Sequence, residues 1–335
     1  MTAMETVLSE LPEDIRQSAR LLWRRAERVT TEATETLLYS YKVLGAIPGD
    51  TALLSEGSDL LRTSVVSELN EIVTELDACR VQLDNAWSGQ GSEAFHGYMP
   101  QLTQSLTDLQ QSTDDAAEAV DTFRDGMILL WDRLIDRVGR TADEVRLAVS
   151  AAGEDFNEAA VHVIEIVDDF AGYVEELANS LMDMRCEMHT AGQILNRAFE
   201  PITSLVPSGD GFRLPLPNNQ AGQADGWEPA HDNVWYDTRA MAGLTAMLSD
   251  SRQQWRAAAD SGALAETRFT ADAFGLAGLD FQPRLTAVLQ RDVSVFTSAG
   301  DDMEHVADIL RRIGHAWITT DDAVAEELGR GIDDE

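Results

Sequence analysis

Residues Leu69 to Phe95 read LNEIVTELDACRVQLDNAWSGQGSEAF, and this stretch decides the fold. Leu69, Ile72, Leu76, Cys79, Leu83 and Ala86 recur at intervals of three and four, which sets them all on one helical face. Trp87-Ser88-Gly89-Gln90-Gly91 then interrupts the seam. Two glycines so close together disfavour continued helix and suit a sharp reversal. Ser92 stands where an N-cap is expected. A second arm follows at once through Phe95, Met99, Leu102, Leu106, Leu109, Thr113, Ala116, Val120, Phe123, Met127, Leu130 and Leu134. The spacing is again three and four, with Thr113 its one weak member. Two such arms joined by a tight turn predict an antiparallel helical hairpin.

Upstream, Glu5 to Val43 reads as one or two helices, with Leu21, Leu22 and Trp23 as an apolar stripe and a break at Thr30-Thr31. Ile47-Pro48-Gly49-Asp50 supplies turn chemistry, and Ser58-Asp59 is the expected cap of the next helix. Downstream, the second arm either runs on or breaks near Gly139. An acidic helix spans Glu154 to Phe199, with Phe156, Val163, Val167, Phe170, Val174, Leu177, Leu181, Met184 and Met188 on its apolar face.

Composition shifts at Pro201. From there to Asn233 the chain carries Pro207, Pro215, Pro217 and Pro229 among several glycines, and no apolar periodicity survives. Trp227, Trp235 and Tyr236 lie in or beside this segment, as anchors for a partner or as pins packing it back on the bundle. Helical patterning returns at Val234 to Ala259 through Met241, Leu244, Leu248 and Trp255. Phe274 to Phe281 reads as a loop or short turn. Pro283 opens a helix through Leu285, Leu289, Val293 and Phe296, and Gly300-Asp301 is expected to end it. Met303, Val306, Leu310, Ile313, Trp317, Val324 and Leu328 form a last helix. Two helical hairpins can be drawn, but they do not align as a repeat.

The predicted fold class is therefore all-α: an elongated antiparallel helical hairpin or bundle, plus a C-terminal helical module after a Pro/Gly-rich loop. The expected division is 1–50, N-terminal helices; 57–200, the hairpin with an additional acidic helix; 201–234, linker; and 235–335, the C-terminal module.

The chain has 335 residues, with 25 Lys and Arg against 59 Asp and Glu, a formal net charge of −34. Such a field opposes nucleic acid, whose phosphates need a basic patch, and anionic membrane surfaces. No apolar run approaches the ~20 residues of a membrane span, so no membrane insertion is expected. The first 25 residues carry acids early and show no signal-peptide core. Cys79 and Cys186 lie far apart inside helical patterns and read as small buried apolar residues. Cys186 and His189 make a single Cys-x-x-His pair, too little for zinc. No phosphate-binding glycine loop, nucleophile elbow or calcium loop is present. The expectation is a protein that is not an enzyme, with no cofactor and no metal.

Trp87-Ser88-Gly89-Gln90-Gly91-Ser92-Glu93-Ala94-Phe95, set between two heptad-patterned arms, resembles the turn of the WXG100 family of type VII (ESX) secretion substrates and partners. The resemblance implies that Trp87 and Gly89 shape the hairpin tip. It implies pairing with another helical hairpin, as a homo- or heterodimer, in a four-helix bundle. Substrates of that family carry a Tyr-x-x-x-Asp/Glu secretion signal on a helix following a hairpin. No tyrosine here is followed by an acid four residues on; Trp317 with Asp321 is the nearest match, and Trp23 with Glu27 shares its spacing. The segment from Ala316 to Leu328 loosely resembles the C-terminal ends of small ESX-secreted virulence factors. The resemblance thus implies a secretion ATPase as a further partner, and export from the cytoplasm to the medium or cell surface without a cleaved signal peptide. Trp317 equally fits a core position, since it continues the stripe of Met303, Val306, Leu310 and Ile313. The alternatives for the whole chain are an intracellular helical scaffold with an incidental Trp-x-Gly and a targeting region associated with a toxin.

Overall fold

The computed structural model describes the backbone of residues 3–45, 47, 49–86, 88, 90–153, 155–205 and 237–333. It describes their side chains except at 3, 83–86, 90–99, 101–102, 194–205, 305–306, 309, 313–314 and 316–333. Among these residues the structure is all-α, without a strand. The helices are α1 (Ala3–Glu10), α2 (Glu13–Glu27), α3 (Thr31–Gly45), α4 (Thr51–Leu60), α5 (Val66–Ala86), α6 (Gln90–Ala151), α7 (Phe156–Leu205), α8 (Thr238–Arg268), α9 (Ala271–Phe274) and α10 (Gln282–Asp333). A π-helical turn, Leu61–Val65, joins α4 to α5, and a 3-10 turn, Leu276–Gly278, follows α9. No described helix is long and apolar enough to cross a membrane.

Packing divides the chain into two compact units, each assembled from separated stretches of sequence. The first holds Met1–Ser58, Glu118–Ile194 and Glu266–Thr286; the second holds Asp59–Ala117, Leu195–Ala265 and Ala287–Glu335.

In the first unit, the N-terminal stretch forms three helices rather than one or two. The added break falls at Pro12, which has no N–H to continue α1. Leu22 is buried, whereas Leu21 is exposed and Trp23 only half-buried, so one residue of the expected Leu-Leu-Trp stripe faces the core. The Tyr41 hydroxyl, wholly buried, donates to the Ala19 carbonyl at 3.0 Å and ties α3 to α2. Burial drives its pKa far above the ordinary phenol range. The cap ahead of α4 is Asp50, not Ser58. Its Oδ1 accepts from the backbone N–H groups of Ala52 and Leu53 at 3.0 and 3.1 Å, while Ser58 is buried inside the helix.

Within this unit α6 and α7 form a hairpin centred on residue 155. Met184 lies against Gly126, and the Arg137 guanidinium sits 5.8 Å from the Tyr173 ring centre. The reversal uses Gly153, at φ 59°, and Asp155, whose Oδ1 accepts from Asn157 and Glu158. Helix α6 passes through Gly139 unbroken. Phe156, expected on the apolar face of α7, is exposed in its first turn, while Val163, Val167, Phe170, Val174, Leu177, Leu181 and Met188 are buried. Helix α7 continues past Pro201 to Leu205.

Phe123, Phe269, Phe274 and Phe281 make the aromatic centre of the first unit, with the other three ring centres 5.4–6.1 Å from that of Phe274. Aromatic pairs at such separations add stabilisation beyond their buried area. Residues 269–281, of which Phe274 to Phe281 read from the sequence as a loop or short turn, wind into α9 and the 3-10 turn around these rings. The Asp50 N–H donates to the Ala273 carbonyl at 2.9 Å. A Cβ on Gly49 would stand 2.5 Å from that same oxygen, so only glycine allows this approach.

Candidate functional site

The sequence singles out the α5/α6 hairpin, and the second unit positions it. Leu61, Val65, Leu69, Ile72, Leu76 and Cys79 line one face of the π turn and α5, each at most 1% exposed. On α6, Leu106, Leu109, Thr113 and Ala116 form the matching face. Thr113, the weak member of the pattern, is accommodated by donating its hydroxyl to the Leu109 carbonyl at 2.8 Å.

Two polar pairs fix the register. Gln110 Nε2 donates to Asn70 Oδ1 at 2.9 Å, and Arg62 Nε reaches Asp114 Oδ1 at 3.2 Å. These pairs are centred on residues 90 and 88, so the two helices run antiparallel and the chain folds back between the end of α5 at Ala86 and the start of α6 at Gln90. Ser88 is the non-helical residue described there, and it is half-buried. Trp87 and Gly89 lie outside the described residues. Helix α6 begins at Gln90, so Ser92 falls within its first turn instead of capping it.

A second hairpin packs in the same unit. Helices α8 and α10 run antiparallel, joined by residues 269–281. Trp255, 2% exposed, faces Phe296 with ring centres 6.1 Å apart. Arg252 bridges to Asp301 at 3.1 Å and also pairs with Glu304. The approach is close because small residues line it: a Cβ on Gly262 would stand 3.1 Å from Val293, and one on Gly300 would stand 3.1 Å from the Trp255 Cβ. This explains why Gly300 does not end the helix as the sequence suggested. The residue answers the bulk of Trp255 on the neighbouring helix, and α10 runs through it without interruption.

Helix α8 also lies along α5. Gln254 Nε2 donates to Glu75 Oε1 at 2.7 Å, and Gln82 Oε1 stands 3.7 Å from the Cβ position of Gly243. As numbers rise along α8 they fall along α5, so these helices too are antiparallel. Met241, Leu244 and Leu248 are buried on the α8 stripe, and Leu289, Phe296, Met303 and Leu310 on that of α10.

Two titratable groups are sealed in this unit. Burial, with the charge of Glu75 adding to it, pushes the Cys79 thiol up to about 12, leaving it un-ionised and inert. Asp292, 4% exposed, has an Oδ2 without a hydrogen-bond partner. Desolvation holds its carboxyl well above the usual range, against a smaller opposing effect of Arg291, so burial favours its neutral form.

The remaining candidates fall in the first unit or on the C-terminal helix. Cys186 is exposed, contrary to its expected burial, and both cysteines are free. Nearby, His189 Nε2 lies 3.0 Å from Gln193 Nε2. Among the described residues no group of three or more His, Cys, Asp or Glu side chains is placed to hold a metal ion. Positions 317 and 321 lie on the uninterrupted α10, one turn apart, but the side chains of Trp317 and Asp321 are outside the described set. Trp227, Trp235 and Tyr236 fall wholly outside it.

The α8/α10 pairing is what sequence reasoning missed. Its available signal was the placement of Gly262 and Gly300 opposite Val293 and Trp255. Small and large residues on separate helices identify each other only once the helices are paired.

Residues 63–128 match the family model described as WXG100, proteins of 100 residues with WXG. No curated protein and no solved structure matches the chain. The matched stretch starts in the π turn, takes in all of α5, the Trp-Ser-Gly reversal and the first part of α6, and covers about a fifth of the chain. Over this hairpin the chain is similar to the WXG100 family.

Proposed function

We propose that this protein is a non-enzymatic substrate of a type VII secretion system, exported as a helical assembly. The observation that carries the reading is the coincidence of the family match at 63–128 with an antiparallel two-helix hairpin reversing at residues 88–90. In this reading Trp87 and Gly89 shape the tip. Trp317 and Asp321, one turn apart on α10, are the docking pair for a secretion ATPase. An aromatic and an acid spaced by four share one helical face, so a single groove can take both. The 201–234 segment is proposed as the linker between a targeting part and a C-terminal part. The net charge of −34 suits a protein that stays soluble and meets basic surfaces on its machinery.

The test is export. Tagged protein, produced in a host with a type VII system, is blotted in culture filtrate and lysate with the secretion ATPase active or inactivated. ATPase-dependent appearance in the filtrate is expected. Retention in the lysate of both strains, with clean lysis controls, overturns the substrate reading and leaves a helical interaction protein. Trp317→Ala with Asp321→Ala is expected to abolish export while leaving helicity unchanged; normal export of that variant overturns the docking pair.

A further inference from the structure

We propose that the hairpin partner of the WXG100 segment is the chain's own α8/α10 hairpin, so that this protein is a hairpin dimer folded from one polypeptide. The inference rests on reading residues 63–128 as a WXG100 hairpin. It departs from the general expectation that a second protein supplies the other hairpin.

A two-helix hairpin cannot bury a heptad seam by itself. Each helix turns part of its apolar stripe away from its mate, and that part needs a further helix. Here the need is met internally. Leu69, Ile72, Leu76 and Cys79 are each at most 1% exposed with no second molecule present. The covering element is identified by contact: α8 lies antiparallel along α5 through the Gln254–Glu75 hydrogen bond and the approach of Gly243 to Gln82. The pair α8 and α10 is itself an antiparallel hairpin, fixed by Trp255 against Phe296 and Arg252 against Asp301. It has the architecture that the family's hairpins use to meet one another.

The surface agrees. Among the described residues of the second unit, Val81 and Leu264 are the exposed large hydrophobic side chains, and they lie on different helices far apart in sequence. Among these described residues no apolar stripe is left open for a hairpin arriving from solution. Covalent linkage adds a further bias. A tethered partner acts at an effective concentration on the order of millimolar, so a free hairpin of equal intrinsic affinity must approach that level to compete.

The experiment cross-links α5 to α8 in the full chain. Glu75→Cys and Gln254→Cys are introduced with Cys186→Ser, and a short bismaleimide is added. Tagged and untagged copies are mixed to separate linkage within a chain from linkage between chains, and circular dichroism checks the fold. Gln82→Cys with Gly243→Cys is a second pair on the same two helices. The expected result is a cross-linked monomer whose yield does not change over a hundredfold dilution. A tagged–untagged cross-linked dimer whose yield falls on dilution overturns the proposal, as does absence of any cross-link in both pairs with helicity intact. Export of these variants separates the two readings. Intramolecular cross-linking without ATPase-dependent export sinks the secretion reading alone, while export with intermolecular cross-linking sinks internal pairing alone.

Discussion

The two units of this chain solve the burial of helices differently. The second is ordered by repetition: a heptad-like seam on α5 and α6, a stripe on α8 and α10, and small residues where α8 and α10 approach. The first is ordered by punctuation. Short helices α1 to α4 are separated at Pro12, Thr30 and Gly49-Asp50, and four phenylalanines from α6, α9 and α10 and their flanks gather at its centre. Among the described residues its surface also carries more large apolar side chains, with Ile128, Leu147, Phe156, Val161 and Met182 exposed along α6 and α7. Repetition tolerates substitution at many equivalent positions and concentrates cost where helices nearly touch. Punctuation places the cost at single contacts.

The comparison breaks most visibly at Trp255, the largest side chain in the α8/α10 contact. Trp255→Ala is expected to cost about 3–5 kcal/mol, seen as a large fall in the denaturation midpoint. A loss below about 1 kcal/mol, the range of ordinary surface substitutions, shows that the α8/α10 hairpin is not held by this contact. At Gly57 in the first unit, a Cβ would stand 2.4 Å from the ring of buried Phe269. Gly57→Ala is expected to cost about 1–3 kcal/mol by forcing that ring from its place. If the variant melts like wild type, the ring packing has slack and the contrast between the units weakens.

Asp292 supplies a pH test of the second unit. Its folded-state pKa is raised, so the folded chain holds this proton more tightly than the unfolded chain. Its contribution to stability is therefore most favourable at low pH. That contribution declines as pH rises from the ordinary aspartate value, about 4, toward the raised folded value, and is constant above it. Asp292→Asn is expected to melt higher than wild type near neutral pH and to lose the advantage on acidification. An advantage independent of pH means the carboxyl is not buried as the neutral acid. The smallest effect belongs to Gly139, where a Cβ meets nothing within 4 Å. Gly139→Ala is expected to stabilise α6 by about 0.5–1 kcal/mol, since alanine loses less backbone entropy in a helix than glycine. Destabilisation there shows that α6 needs the local freedom of glycine.

Much of this was legible in the sequence, and the failures share a cause. The α5 and α6 faces, the reversal after Ala86, the stripe of α7 and the pattern of α8 all follow from periodicity, which a single helix imposes on itself. Glycine at 300 and Ser-Asp at 58–59 were misread because a local signal has more than one use. Gly300 answers Trp255 on another helix, and Ser58 is buried within a helix that Asp50 had already capped. Cys186 and Leu21 fit apolar spacings yet face solvent, because a stripe is wider than the contact that covers it. The tip residues Trp87 and Gly89 and the signal pair Trp317 and Asp321 stay proposals read from residue type and spacing, because they or their side chains lie outside the described residues.

The sequence by itself determined that this chain is helical, acidic and folded back between two heptad-patterned arms, because helix periodicity, turn chemistry and charge are properties of neighbouring residues. Only the tertiary structure decided which helices share a core. Residues 59–117 pack with stretches that begin only at Leu195 and Ala287, while 118–194 pack with the N-terminus. Those choices depend on shape fit between surfaces such as Gly300 and Trp255, and shape fit exists only after the helices have formed and met.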